Sequence, residues 1–336
     1  MRQQGAALQV NLPEIQVMIG DTLVFGVVSL EVEQVAYFAA DRFVVTLAMG
    51  DAGLGNAAYY AALGLQRIAI DAALSAGGFV NLITGQIDNV RIDLLFNTAV
   101  LSGRDLSAGL IDSEVAETFA NQTSSQIACA LAQEHNLTPN VTATTTPVGQ
   151  YYELDHARSG LAQHSRNGSA WNMLTLLAQL ENFAVSVTGA TLNFGPAPAG
   201  TPVLITPQAC IALDFDIATT IPSSTTVKSW NTRKKAVVMQ TAGSSGGGST
   251  TLIRPNLTSQ QAGNLATNHL AVLSQHAVIL KATLPGEMTM KPGMQILLSG
   301  TNSRLDQSYV VDAIFRSIES HHGFIETIHA RAMDAA

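Results

Sequence analysis

Phe43, Val45, Leu47 and Met49 alternate with Arg42, Val44, Thr46 and Ala48. A period of two predicts a strand with one face more deeply buried, because successive side chains point to opposite sides of a sheet. Val90, Ile92 and Leu94 alternate with Asn89, Arg91 and Asp93 in the same way. The first hundred residues therefore read as β. Between these two strands, Asn56 to Leu74 is rich in alanine and fits either a helix or a loop over the sheet. Gly50-Asp51, Gly53, Gly55 and Gly77-Gly78 supply chain breakers.

From Asp105 the texture changes to helix and mixed structure. Thr123 followed by Gln126 is a capping box, in which hydroxyl and amide satisfy each other's end of a helix start. Ile127, Leu131 and the alanines between them form one stripe that stops near Asn136, before Pro139. Thr142 to Pro147 reads as loop or extended chain. Ser169 caps a second helix whose Trp171, Leu174, Leu177 and Ala178 share one face. Phe183–Val187 and Thr191–Phe194 then form a hairpin through Thr188-Gly189-Ala190. Pro196, Pro198, Gly200 and Pro202 close this central unit.

The last third returns to strands with one interruption. Thr225 to Gln240 is extended, and Gly243 to Ser249 is a flexible glycine-serine loop tip. Thr258 with Gln261 repeats the capping box and opens a helix carrying Leu265, Leu270 and Leu273 to about His276. Three strands complete the chain. Met294, Ile296 and Leu298 belong to the first; Tyr309, Val311, Ala313 and Phe315 to the second; Phe324, Glu326 and Ile328 mark one face of the third. No short repeat is visible. Two similar β domains separated by an insertion account for this order.

Composition narrows the function. Of 336 residues, 47% are hydrophobic and only 12% charged, against about 25% charged in ordinary domains. A disordered chain is excluded, since ample apolar area offsets the ordering entropy. A net charge of -8 and a pI near 5.4 argue against gripping nucleic acid, which needs a basic face. So few charges predict a surface covered by other subunits, hence an oligomer. Met1 to Val10 lacks the apolar core of a signal peptide, and no apolar run reaches the length of a membrane span. Cys129 and Cys210 cannot make a disulfide framework, so the chain is expected to fold in a reducing cytoplasm.

Candidate chemistry is sparse. Asp155, His156 and His164 could orient a general base or contribute to a metal site, but a spacing of eight is no ligand pattern. They read better as polar loop residues. His321-His322 before Gly323 reads as a hairpin turn. Cys129 lies on the small apolar face of a helix, and neither it nor Cys210 has a nearby base that would lower its pKa. Asp214, Asp216 and Glu181 show no paired spacing. The sequence holds no HExxH pair, Walker loop or strand–GxGxxG–helix element. The basic cluster Arg233-Lys234-Lys235 could touch phosphate or an acidic partner, although a solvated hairpin explains it more simply. No cofactor and no catalytic residue is assigned.

Several segments together resemble the late-control protein D family of phage tail hub proteins. They are Gly85-Gln86-Ile87-Asp88; Leu101-Ser102-Gly103-Arg104-Asp105-Leu106-Ser107-Ala108 with Leu110-Ile111-Asp112; the capped helix from Thr123-Ser124-Ser125-Gln126; Tyr151-Tyr152-Glu153; His164-Ser165 leading into Ser169-Ala170-Trp171-Asn172; Val185–Phe194; and Val227-Lys228-Ser229-Trp230-Asn231. Their order and spacing cover roughly residues 80–240. The family is related in fold to the hub part of the VgrG spike of type VI secretion.

The resemblance implies an α+β, mostly β fold of two tube-type β-barrel domains with an inserted α/β domain. The first barrel would span residues 1–103, the insertion 104–200, and the second barrel 201–336 with its helix at about 258–276. It also implies a homotrimer forming a pseudo-sixfold ring in a virion tail baseplate, assembled in the host cytoplasm. Its partners would be the tail tube above, a central spike below (a separate polypeptide), other baseplate proteins and the tape measure protein. DNA would pass through its channel without specific binding. Gly103, Arg104 and Asp105 would join a tube-type strand to the insertion, with a local Arg104–Asp105 salt bridge. Trp171, Trp230 and Asn231 complete the structural and interface candidates, with Trp230 burying its ring. Two rival functions are a tail-associated cell-wall hydrolase using Asp155, His156 or Glu181, and a hexameric tube or adaptor protein.

Overall fold

In chain order, β1 (Glu14–Ile19), β2 (Thr22–Val24), β3 (Val27–Val35) and β4 (Arg42–Ala48) precede α1 (Ala57–Ala61), β5 (Arg67–Ala73), β6 (Val80–Asp93) and β7 (Thr98–Asp105). Next come α2 (Ala108–Asp112), β8 (Gln122–Thr123), α3 (Ser124–Glu134), β9 (Thr138–Val141), β10 (Pro147–Val148), α4 (Ala170–Glu181), β11 (Ala184–Thr188) and β12 (Thr191–Gly195). The rest comprises β13 (Val203–Ile205), β14 (Ala212–Ile217), β15 (Ser224–Asn231), β16 (Ala236–Gly243), β17 (Ser249–Ile253), α5 (Ser259–Gln275), β18 (Val278–Pro285), β19 (Gln295–Leu298), β20 (Ser308–Glu319) and β21 (Gly323–Ala332). This computed structural model describes residues 12–36, 39–50, 55–74, 78–115, 119, 122–145, 147–148, 168–197, 200–231, 235–244, 246–255, 257–319 and 321–333. With 49% strand and 19% helix, the chain is mostly β, the class that the alternation predicts.

Contacts divide the chain into two units: residues 1–108, 199–215 and 280–330, and residues 109–198, 216–279 and 331–336. The first unit is built on a 13-stranded sheet of order β14-β18-β21-β20-β3-β4-β7-β6-β5-β1-β2, with β19 joined to β20 and β13 to β19. Phe43, Val45, Leu47 and Met49 are buried, as the period of two requires, and pack with Leu30, Val32, Ile68, Ile70 and Leu101. The alanine-rich stretch resolves into a helical turn and a strand. Asn56 accepts a hydrogen bond from the Tyr59 amide at 2.8 Å and so caps α1, Tyr60 is buried, and β5 follows with Ile68, Ile70 and Ala72 inward. The strand around Val90 is longer than its alternation shows, running from Val80 with a register shift between Ile87 and Asn89. Leu94 is exposed, in the turn beyond that strand.

β20 departs from the expected alternation. Tyr309 and Val311 are buried, but the next inward residues are Ile314, Arg316 and Ile318, so Ala313 and Phe315 belong to the opposite face. The reason is a change of partner. Residues 308–310 pair with β19, whereas Ala313 onward pairs with β3. One strand serves two neighbours, and the inward phase slips by one where it passes between them.

In the second unit, α3 and α4 pack against each other and against the sheet β11-β12-β9. Thr123 and Gln126 close the predicted capping box, and the Ser169 side chain accepts from the Asn172 amide. Trp171, Leu174, Leu177 and Ala178 are buried together, while Asn182 ends α4 in the left-handed region at φ 59°. The Gly189 turn joins β11 to β12 as expected. α5 carries the second capping box and lies on β15 and β16. Its buried residues are Ala262 and Ala266, not the leucines that it carries. Small side chains let the helix approach Val227 closely, and Leu265 is left partly buried beside them.

The tightest backbone approach in the first unit lies between β6 and β7. A Cβ on Gly103 would sit 1.9 Å from the Gln86 carbonyl oxygen and 2.8 Å from the Phe43 ring. Neither a sheet backbone nor a buried ring can yield that much. Gly103→Ala is expected to destabilise the chain by about 1–3 kcal/mol, the usual cost of overpacking. Gly200→Ala, with open space around it, is expected to stay within about 0.5 kcal/mol of the parent. Chemical unfolding of the two variants beside the parent checks the contrast.

Candidate functional site

Alternation along β7 sends Ala99, Leu101, Gly103 and Asp105 inward and Arg104 outward. Adjacent strand residues face opposite sides, so the expected Arg104–Asp105 salt bridge does not form. Arg104 instead grips Asp88 on β6 with two nitrogens, Nε to Oδ2 at 2.7 Å and Nη2 to Oδ1 at 3.2 Å. That pair is partly exposed and contributes little to stability. Asp105 turns into the interior, where its carboxylate accepts from the Ser107 hydroxyl at 2.5 Å and the Ser107 amide at 3.2 Å. Its own amide donates to the Asp41 carbonyl at 2.9 Å. Burial, reinforced by the Asp41 charge, pushes Asp105 up to about 7. Burial likewise lifts Asp41 to about 6, against the Val35 amide that donates to it at 2.9 Å.

A second polar group in the same unit was not foreseen from the sequence. Arg316, 3% exposed, projects from β20 and meets Glu326 of β21 at 2.8 Å. The same guanidinium donates to the Gln34 side chain on β3, to the Glu287 carbonyl at 3.3 Å and to the Met290 carbonyl at 2.5 Å. Gln34 passes the connection on by donating to the Leu82 carbonyl at 3.1 Å. The Glu287 carboxylate accepts from the Met290 amide at 2.6 Å and from the Thr289 amide and hydroxyl, which holds the 287–290 turn against Arg316. Burial pushes Glu326 up to about 7, with Arg316 pulling the other way.

The remaining candidates are dispersed. Asp155, His156 and His164 lie outside the described residues, as do Tyr151-Tyr152-Glu153 and Arg233-Lys234. Glu181 accepts a 2.6 Å hydrogen bond from Ser124 and so ties α4 to α3. Cys129 is a half-buried helix residue. Cys210 donates its thiol to the Thr206 carbonyl at 3.4 Å, and burial raises its pKa, the wrong direction for a nucleophile. His321 and His322 occupy the turn between β20 and β21, as expected, with His322 3.1 Å from Glu319. Asp214 and Asp216 are exposed on β14. Among the described residues, no three His, Cys, Asp or Glu side chains could jointly hold a metal ion, and no helix is long and apolar enough to cross a membrane.

Of the two tryptophans, Trp171 is buried as its helix face predicts and Trp230 is not. Trp171 is buried, its indole N–H without a hydrogen-bond partner among the described residues. Trp230 is 51% exposed, because its position in β15 faces away from α5. Asn231 ends the same strand opposite Ala236.

No family model matches the sequence, and no curated protein matches it. Solved structures do. The 43 kDa tail protein of prophage MuSo2 from Shewanella oneidensis superposes with a TM-score of 0.74 at 16% identity, covering 96% of this chain and 99% of that one. The tail protein from Neisseria meningitidis MC58 gives 0.73 at 15% identity, covering 95% and 96%. An Escherichia coli component of the type VI secretion system, described as structurally similar to T4 bacteriophage tail proteins, gives 0.58 at 13% identity, covering 95% and 77%. The chain has the fold of a phage tail protein. Within this tail-protein fold, the buried polar residues tie strands together and the exposed ones lie apart.

Two measurements test the buried groups. Asp105 ionises near 3.8 when unfolded but near 7 when folded, so the native state binds the extra proton. Its contribution is complete below the lower value and is lost as pH rises toward the higher one. Between about pH 4 and 7, Asp105→Asn is expected to lose on the order of 1–3 kcal/mol of the parent's decline in stability. Urea unfolding of both proteins across that range reads the difference. Arg316→Met strands Glu326 and is expected to cost about 3–5 kcal/mol, with Arg316→Met/Glu326→Leu recovering part of it in a double-mutant cycle.

Proposed function

We propose that the chain is the structural hub of a phage tail baseplate or related injection apparatus. It adapts a sixfold tail tube to a threefold central spike and lines the channel through which DNA passes. The observation that carries this reading is the end-to-end match of fold with a prophage tail protein, 96% of one chain against 99% of the other.

In this reading residues 1–103 and 201–336 form two tube-type barrels around an insertion at 104–200, and three copies close a pseudo-sixfold ring in the virion. Gly103, Arg104 and Asp105 act structurally at the start of the insertion; Trp171, Trp230 and Asn231 serve packing and interface. Tail tube, central spike, other baseplate proteins and the tape measure protein are its partners. With a net charge of -8, the channel face is neutral or acidic, so DNA is not retained. The low charge content also favours a chain that works buried among others. It supplies shape and contact area, not catalysis.

Native mass spectrometry of the purified chain is expected to show an assembly three times the 35.3 kDa chain mass. Rings of six would overturn the hub in favour of a tube or adaptor. Peptidoglycan hydrolysis abolished by replacing Asp155, His156 or Glu181 with Ala would overturn it in favour of a hydrolase.

A further inference from the structure

A ring of three cannot be closed through one self-complementary patch. Each interface must join two different surfaces of the chain, so every copy must carry both halves of a complementary pair. The described surface offers such a pair.

One half is the outward face of the three-stranded sheet β16-β15-β17. α5 covers the opposite face through Ala262, Ala266 and Val227. Trp230 stands opposite Val237, and Lys228 stands between Met239 and Ile253. All five are exposed, the four apolar ones by 51% at Trp230, 63% at Val237, 60% at Met239 and 73% at Ile253. The other half is β14, the edge strand of the 13-stranded sheet, which among the described residues is hydrogen-bonded on one side only, to β18. It presents Asp214 and Asp216 on one face, and Ile211 and Ile217, 46% and 43% exposed, flank it on the other face, with Ile221 36% exposed beyond the strand. Among the described residues, neither aspartate and not Lys228 has an ion-pair partner.

Resting on the homotrimer reading, we propose that the Trp230 face of one copy packs on the β14 edge of the next, with Lys228 directed at Asp214 and Asp216. The two surfaces carry charges opposite in sign, and each has exposed apolar side chains beside them, those of β14 lying across the strand edge from its aspartates. That complementarity selects a second copy of this acidic chain as the occupant and sets the register of docking. An open strand edge bearing isoleucines is a liability that a neighbouring subunit removes. A half-exposed tryptophan among valine, methionine and isoleucine is the usual anchor of such a contact.

The test uses the full chain, with sedimentation velocity reading assembly and circular dichroism confirming that each variant is folded. Trp230→Ala and Lys228→Glu are expected to weaken trimer formation at least tenfold. Asp214→Lys/Asp216→Lys is expected to do the same, and the charge-swapped chain carrying all three charge reversals to regain assembly. As a readout needing no variant, acrylamide quenching of the parent should fall as it assembles, because Trp230 is covered while Trp171 is already buried. Trimers that form undiminished in these variants, with Trp230 still open to quencher, overturn this inference and leave the homotrimer standing. A chain that stays monomeric across the concentration range, or closes in sixes, overturns both.

Discussion

One guanidinium ties together three strands and a turn of the first unit. Arg316 is the point where β20, β21, β3 and the 287–290 turn are held in a common register. Removing a charge from water is expensive, and a buried ion pair seldom repays the whole cost, so Arg316 and Glu326 are poor candidates for net stabilisers. Their value lies in specification. A one-residue slip of β20 against β3 would carry Arg316 to the other face of the sheet and leave Glu326 buried alone. No aliphatic pair penalises the wrong register so heavily. The position matters because β20 changes partners a few residues earlier, from β19 to β3. A strand shared between two neighbours has a place where pairing alone specifies register weakly, and the charge sits just beyond it.

The β6–β7 pair solves the opposite problem, how to bring backbones closer than side chains allow. Gly85 and Gly103 stand where any Cβ would meet the backbone of the neighbouring strand, and the Phe43 ring fills the space over Gly103. At the next residues alternation separates the charges, Arg104 to the surface beside Asp88 and Asp105 to the interior beside Ser107. Glycine, exposed cation and buried acid thus follow within three positions, each serving a different neighbour. Each of the three residues has a structural reason for its identity.

Local rules made much of the fold legible. The capping boxes at Thr123 and Thr258 and the Ser169 cap depend on contacts within one turn, so three residues suffice to announce each helix. The same holds for the alternation of Phe43 to Met49 and for the Gly189 turn. What escaped the sequence depends on partners distant along the chain. Arg316 reads as an ordinary surface arginine until Gln34, 282 positions away, and Glu326 are brought beside it. Glu326 itself shares a face with Phe324 and Ile328, and an acid between two apolar residues was the one available sign of a buried countercharge. Trp230 misled for a related reason: hydrophobicity favours burial, but its strand parity places it opposite the face that α5 covers.

This division between local and distant causes also accounts for a fold retained at 16% identity over nearly the whole chain. A sheet asks of most positions only that the inward residues be apolar and of suitable size, and many sequences satisfy that. The demanding positions are few: glycines at close approach, caps at helix starts, and a countercharge wherever an arginine is buried. Substitution can therefore proceed almost everywhere while backbone geometry stays fixed. Outward faces are freer still, constrained only by what they touch, so proteins of this fold can differ at their surfaces without disturbing the scaffold. The exposed row of Trp230, Val237, Met239 and Ile253 is costly to leave against water. It lies on the face of its sheet that α5 leaves uncovered, so it is the proposed contact with a second copy, and not the packing of the fold, that would take it out of water.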